Sequence, residues 1–122
     1  MEWIKVIQDE DSIGIKRLID DDKEEELLII DDIHYSPLLL AAKLNKLSSV
    51  KLLVEYHVSI KHWAKINMVD SMGMSSLMYA IQNKNMEMVL YLIEEGADFK
   101  GLQMEMDDEM RELIEYEIKN GL

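Results

Sequence analysis

The side chains that could do chemistry in this chain are few. The imidazoles are His34, His57 and His62, and there is no cysteine. A zinc site takes nitrogen, sulfur or carboxylate ligands at short, defined spacings. His57 and His62 stand five residues apart, off a common helical face, and neither a cysteine nor a second acidic partner completes a set, so no metal site is expected. Gly14, Gly73, Gly96, Gly101 and Gly121 are scattered singly, which leaves no glycine-rich loop to cradle phosphate. Carboxylates are abundant, but an acid/base pair is defined by geometry and shifted pKa rather than by composition. The sequence therefore implies no catalytic residue, no cofactor and no metal, and the chain reads as a non-enzyme.

The charge carries more information. A net charge of −12 opposes direct binding to nucleic-acid phosphates, which requires lysine and arginine to displace counterions. Acidic residues concentrate in Asp20-Asp21-Asp22-Lys23-Glu24-Glu25-Glu26 and again at Asp107 to Glu109. Such runs are solvated stretches, or else they steer a basic partner toward the surface or imitate nucleic-acid charge. Neither has the glycine and oxygen-ligand spacing of a calcium loop. The absence of cysteine excludes disulfides and thiol catalysis. Met1-Glu2-Trp3 is not the start of a secretory signal, and no apolar stretch approaches a membrane span, so a cytoplasmic setting is expected.

What positions these residues is a repeat. Shifted by 39 residues the chain matches itself without a gap: Asp31 falls on Asp70, Ser36 on Ser75, Leu38 on Leu77, Ala41 on Ala80, Val50 on Val89, Leu53 on Leu92 and Glu55 on Glu94. The shared positions are mostly small or apolar, as stacked units need when none can bury its hydrophobic face alone. Ser36 before Pro37 is an N-cap followed by a residue suited to the first helical turn. Leu38, Ala41 and Ala42 then give one small apolar helix face, and Val50, Leu53 and Val54 give the face of a second helix. Val89, Leu92 and Ile93 repeat that second face, and Gly96 supplies a left-handed stop.

Inside each copy the residues resemble ankyrin repeats. Ser36-Pro37-Leu38-Leu39-Leu40-Ala41-Ala42 is similar to the family's T-P-L-H-x-A-A, and Ser75-Ser76-Leu77-Met78-Tyr79-Ala80-Ile81 is a weaker version. Glu95-Gly96-Ala97-Asp98 resembles x-G-A-D, and Asp70-Ser71-Met72-Gly73 resembles D-x-x-G. The departures are His34, His57 and Lys84, which stand at glycine positions, and Ser76, which replaces the proline. The resemblance implies an all-α solenoid of stacked helix pairs with short hairpin loops. Its divisions are a degenerate repeat at 1–30, a repeat with an inserted loop at 31–69, a repeat at 70–100 and a capping helix at 101–122. In that cap Met106, Met110, Leu113, Ile114 and Ile118 recur at helical spacing.

The resemblance also implies a non-catalytic protein-binding module, an adaptor or small effector, whose partner lies along the hairpin tips and inner helices. The variable positions there are Asp32, Ile33, Tyr35, Lys43 and Leu44 in one copy and Ser71, Met72, Met74, Gln82 and Asn83 in the next. Exposed apolar residues among them would mark an interaction site, whereas Ile33 and Leu44 are equally suited to packing on a neighbouring repeat. Against the family's period of roughly 33 residues, the longer spacing predicts an enlarged hairpin or loop between Ile60 and Asp70, basic and aromatic around Trp63. Trp63 is a candidate anchor there, with folding back over the core as the alternative. The implied partner is a protein with a basic patch. A second reading is an acidic inhibitor or nucleic-acid mimic that blocks a basic, nucleic-acid-binding protein, distinguished by steep weakening with salt.

Overall fold

A computed structural model describes residues 2–21, 28–56 and 62–121, excepting the side chains of His62, Trp63, Ala64 and Gln103. The acidic run from Asp22 to Glu26 and His57 therefore lie outside the described residues. Helices α1 (Glu2–Gln8) and α2 (Ser12–Asp20) form the first pair. A hairpin follows, β1 (Leu28–Ile30) and β2 (Ile33–Tyr35), and then the second pair, α3 (Pro37–Lys43) and α4 (Leu47–Glu55). Helix α5 (His62–Asn67) precedes the third pair, α6 (Ser76–Gln82) and α7 (Met86–Glu94). A short 3-10 turn, Gln103–Glu105, leads into α8 (Asp108–Lys119). The architecture is the all-α solenoid with short hairpin contacts, and α3 packs between α1 and α6.

Local chemistry repeats from pair to pair. The side chains of Asp11, Ser36, Ser75, Asn85 and Asp107 each accept a backbone N–H from the first turn of the helix they precede, at 2.8–3.2 Å. Each inner helix then ends on a residue in the left-handed region: Glu10, Asn45 and Lys84, with φ of 50°, 61° and 54°. The next N–H in each case reaches back to close the turn, Asp11 to Val6 O, Lys46 to Ala41 O and Asn85 to Ala80 O. This is the Schellman arrangement, which satisfies the orphan carbonyls at a helix end. Lys84 thus adopts the glycine-like conformation that its position demands.

Burial explains the stacking. Leu53 and Leu92 are fully buried, as are Leu38, Ala41, Leu77 and Ala80, so the repeat register is a register of core positions. Ser49 Oγ, itself buried, donates to Ile7 O at 3.1 Å and joins the first two repeats through a polar contact. On the outer surface Lys16 lies 5.6 Å above the Tyr56 ring, whose hydroxyl donates to Asp20, and Lys51 lies 5.5 Å from the Tyr91 ring. In both cases a lysine on one outer helix covers a tyrosine of the next repeat. In α8, Met110 and Ile114 are buried, whereas Ile118 is exposed.

The inserted segment differs from expectation. Its backbone is not an enlarged loop but helix α5. Ile66 is buried, and Asn67 clamps the exit of the third repeat: its Nδ2 donates to Gly96 O at 3.2 Å and its Oδ1 accepts from Asp98 N at 2.7 Å. Among the described side chains, a buried isoleucine and a bidentate amide anchor this helix of under two turns against the stack. The hairpin at residues 28–35 also departs from the family pattern. Its turn is Asp31-Asp32, at φ of 51° and 65°, while His34, at the glycine position, lies in β2. Two consecutive positive φ values make the primed turn whose twist matches a tight hairpin, and aspartate tolerates that region better than most residues.

Candidate partner-binding surface

The inner surface is organised by a polar cluster that joins the second and third repeats. Asp70, only 5% exposed, sits at the start of the third hairpin, the turn of the third repeat that the isolated Val69–Ser75 bridge closes. Its Oδ1 accepts from Met72 N at 2.8 Å and from Met74 N at 3.0 Å, and its Oδ2 accepts from the Tyr79 hydroxyl. Burial by itself raises the Asp70 pKa, but the hydrogen bonds from Tyr79, Met74 and Met72, with Lys43 nearby, outweigh it and hold the carboxyl below its ordinary value. Tyr79 is pushed up, first by burial and then by the Asp70 carboxylate that holds its proton. The Tyr35 ring lies 6.5 Å from that of Tyr79 between centroids, and Lys43 Nζ stands 4.8 Å from the Tyr35 ring centre while donating to its hydroxyl at 2.5 Å.

Tyr35 corrects an expectation. The resemblance implies a place for it among the variable positions of the binding surface, and it is instead completely buried. The hairpin alternates: Leu28 pairs with Tyr35 and Ile30 with Ile33 on the inward face, while Ile29 and His34 face out. Met74, also placed off the core, is half-buried against it, as are Ile33 and Leu44. Asn83 has an exposed residue surface, yet its amide is engaged, donating to Ala42 O at 3.1 Å and Lys43 O at 3.4 Å across the repeat boundary. Asp32, Lys43, Ser71 and Gln82 are exposed, and Met72 is 68% exposed. Ser71 Oγ accepts from His34 N at 3.1 Å and ties the two hairpins together. The Trp63 side chain lies outside the described residues.

The structure adds apolar positions that the repeat pattern did not single out as contacts: Ile29 at 53% and Val69 at 51% exposed, beside Met68 at 44%. Ile29 and Met68 are 39 residues apart, in the same register as the core, so the signal was present in the sequence. Among the described residues no three histidine, aspartate or glutamate side chains converge on a point that could hold a metal ion.

A profile of ankyrin repeats in three copies matches residues 6–101. That span runs from within α1 through the second and third helix pairs. The chain belongs to the ankyrin-repeat family. It is similar to the ankyrin repeat and SAM domain-containing protein 6 of Rattus norvegicus, 39% identical over 85 residues, and to the protein of the same name from Mus musculus, 38% identical over 84. Each match covers 69% of this chain and 9% of the relative, so the chain spans a small part of the proteins it resembles. No solved structure matches. Ankyrin repeats are generally non-catalytic protein-protein interaction modules, and among the described residues no helix is long and apolar enough to cross a membrane.

Proposed function

We propose that this ankyrin-repeat chain is a non-catalytic adaptor or small effector that binds a partner protein through its concave inner surface, the adjoining hairpin tips and the inserted segment that forms α5. The observation that carries the reading is the juxtaposition of exposed, chemically varied side chains on a rigid frame. Lys43, Gln82, Ser71 and Met72 are presented by α3, α6 and the third hairpin, which the Asp70, Tyr79 and Tyr35 cluster locks together. Preorganisation of this kind lowers the ordering cost of association. The acidic balance of the chain favours a partner with a basic patch and mainly speeds encounter.

The test is affinity capture from the native source with wild-type chain and a Lys43→Ala/Gln82→Ala/Met72→Ala triple variant as paired baits. A partner retained by the first and lost by the second, confirmed by titration of the purified pair, supports the reading. Equal retention by both baits overturns the surface assignment. Steep loss of binding in moderate salt with an unaffected triple variant favours a charge-driven inhibitor instead.

A further inference from the structure

The hairpin at residues 28–35 has an outer edge that no other described residue pairs with. Its two-residue turn makes Ile30 and Ile33 a hydrogen-bonded pair, and alternation makes Leu28 and Tyr35 another. Ile29 and His34 form the non-hydrogen-bonded pair between them, so their N–H and C=O groups point away from each other, out of the two edges of the hairpin. The β2 edge confirms this geometry, because His34 N donates outward to Ser71 Oγ of the next repeat. On the β1 edge the N–H and C=O of Ile29 meet no partner among the described residues.

Folded proteins blunt such edges with lysine, proline, a bulge or very short strands, and β1, at three residues, is protected by its length alone. Here the edge reads Leu28-Ile29-Ile30, and the Ile29 side chain is 53% exposed. Beside it Asp31 and Asp32 are exposed at the turn and form no ion pair among the described residues, in a chain of net charge −12. A donor and acceptor unpaired among the described residues, an exposed branched side chain at the same residue and carboxylates at its end with no described counter-ion together describe a recognition feature of definite chemistry.

We infer that the β1 edge receives an extended segment of a partner protein as an added strand, carrying aliphatic side chains at alternate positions and lysine or arginine between them. Backbone pairing at Ile29 gives affinity, the aliphatic residues cover Ile29, and the basic residues meet Asp31 and Asp32. The strand is short, so the isolated contact is weak and serves as one anchor of a larger interface. The contact is made by β1, which carries none of Lys43, Gln82, Ser71 and Met72, so variants at Ile29 test it separately from the concave face.

The probe is a synthetic capped peptide of alternating valine and lysine, titrated into isotope-labelled full-length chain and followed by amide chemical shifts and hydrogen exchange. The expected result is a shift centred on Ile29 and slowed exchange of its amide, with no response to the valine and glutamate counterpart. Ile29→Pro removes the outward N–H at a position where edge strands tolerate proline, and it should weaken the peptide by about tenfold or more with the rest of the spectrum unchanged. Ile29→Lys, which keeps the backbone and repels the basic peptide, should do the same. The inference is overturned if the Ile29 amide does not respond, if it is already protected in the free chain, or if both variants bind like wild type. Sedimentation showing a dimer that Ile29→Pro dissolves would make the occupant a second copy and overturn it as well.

Discussion

The Tyr79 hydroxyl donates to the Asp70 carboxylate across the turn that joins the third hairpin to α6, and the other oxygen of Asp70 gathers the N–H groups of Met72 and Met74. One buried side chain thereby fixes a turn, a strand bridge between Val69 and Ser75, and the entry of a helix. Removing it leaves several donors unsatisfied together. Asp70→Ala is expected to cost about 2–4 kcal/mol, because unpaired buried donors are expensive, and chemical denaturation would measure it. A loss below about 0.5 kcal/mol would show that water replaces the carboxylate without penalty.

The same carboxylate gives a pH signature. The Asp70 pKa is lowered in the fold, so its stabilisation is present above the ordinary carboxylate value of about 3.9 and is lost as pH falls through the folded value. The stability difference between wild type and Asp70→Asn should therefore be constant near neutrality and shrink in acid, below about pH 4. Urea titrations of both chains across the acid range would check it. A difference that stays constant down to the most acidic point would mean that the charge of Asp70 contributes nothing beyond hydrogen bonding.

Two buried tyrosine hydroxyls should behave oppositely. Tyr79 donates to Asp70, whereas the Tyr91 hydroxyl is buried with no acceptor within hydrogen-bond distance among the described residues, Glu55 standing near without reaching that distance, and is pushed up by burial and by Glu55, Glu95 and Glu94. Tyr79→Phe is expected to cost about 1–2 kcal/mol and Tyr91→Phe to be neutral or slightly stabilising. Thermal unfolding of the pair decides it, and equal losses would contradict the contrast.

How far the sequence reached is clear from individual residues. Leu53 and Leu92, and the Ser36 cap on which Ser75 falls in the repeat register, were legible because core helix faces and N-caps are local patterns that the repeat displays twice. Tyr35 was not, because a three-residue strand is too short to show alternation, and its inward face depends on a turn at Asp31-Asp32 rather than at the glycine position of the family. The Asp70–Tyr79 bond spans a hairpin and a helix start, a distance that no periodicity encodes. Helix α5 was hidden for a related reason: it is held by Ile66 and by Asn67 reaching Gly96 and Asp98, which are tertiary contacts.

Ser76 offers a stabilising substitution. It begins α6 where Pro37 begins α3, its Oγ is buried without a partner among the described residues, and Ser75 before it is already extended at ψ 168°. Proline at the first helical position loses no hydrogen bond and restricts the unfolded chain. Ser76→Pro is expected to gain about 0.5–1 kcal/mol, with Ser76→Ala as the control that removes only the orphan hydroxyl. Calorimetry would register a rise in Tm. A fall relative to Ser76→Ala would show that the site, unlike that of Pro37, has no room for the ring.

The burial of Tyr35 changes which residues can report on binding. Tyr35→Ala should behave as a core truncation costing about 3–5 kcal/mol, so weakened binding in that variant would reflect lost structure rather than a lost contact. Lys43 differs: its ammonium rests above the Tyr35 ring while the residue stays exposed, so it presents a fixed charge at the inner surface. Gln82 lies exposed at the end of the next inner helix. Lys43→Ala with Gln82→Ala should weaken partner binding by about 1–3 kcal/mol, as truncated interface centres do, while thermal unfolding shifts little. Titration calorimetry with the purified partner, run beside a melting curve, separates the two effects. If binding is unchanged while Trp63→Ala abolishes it, the contact surface is centred on α5 and the concave face serves only as its support.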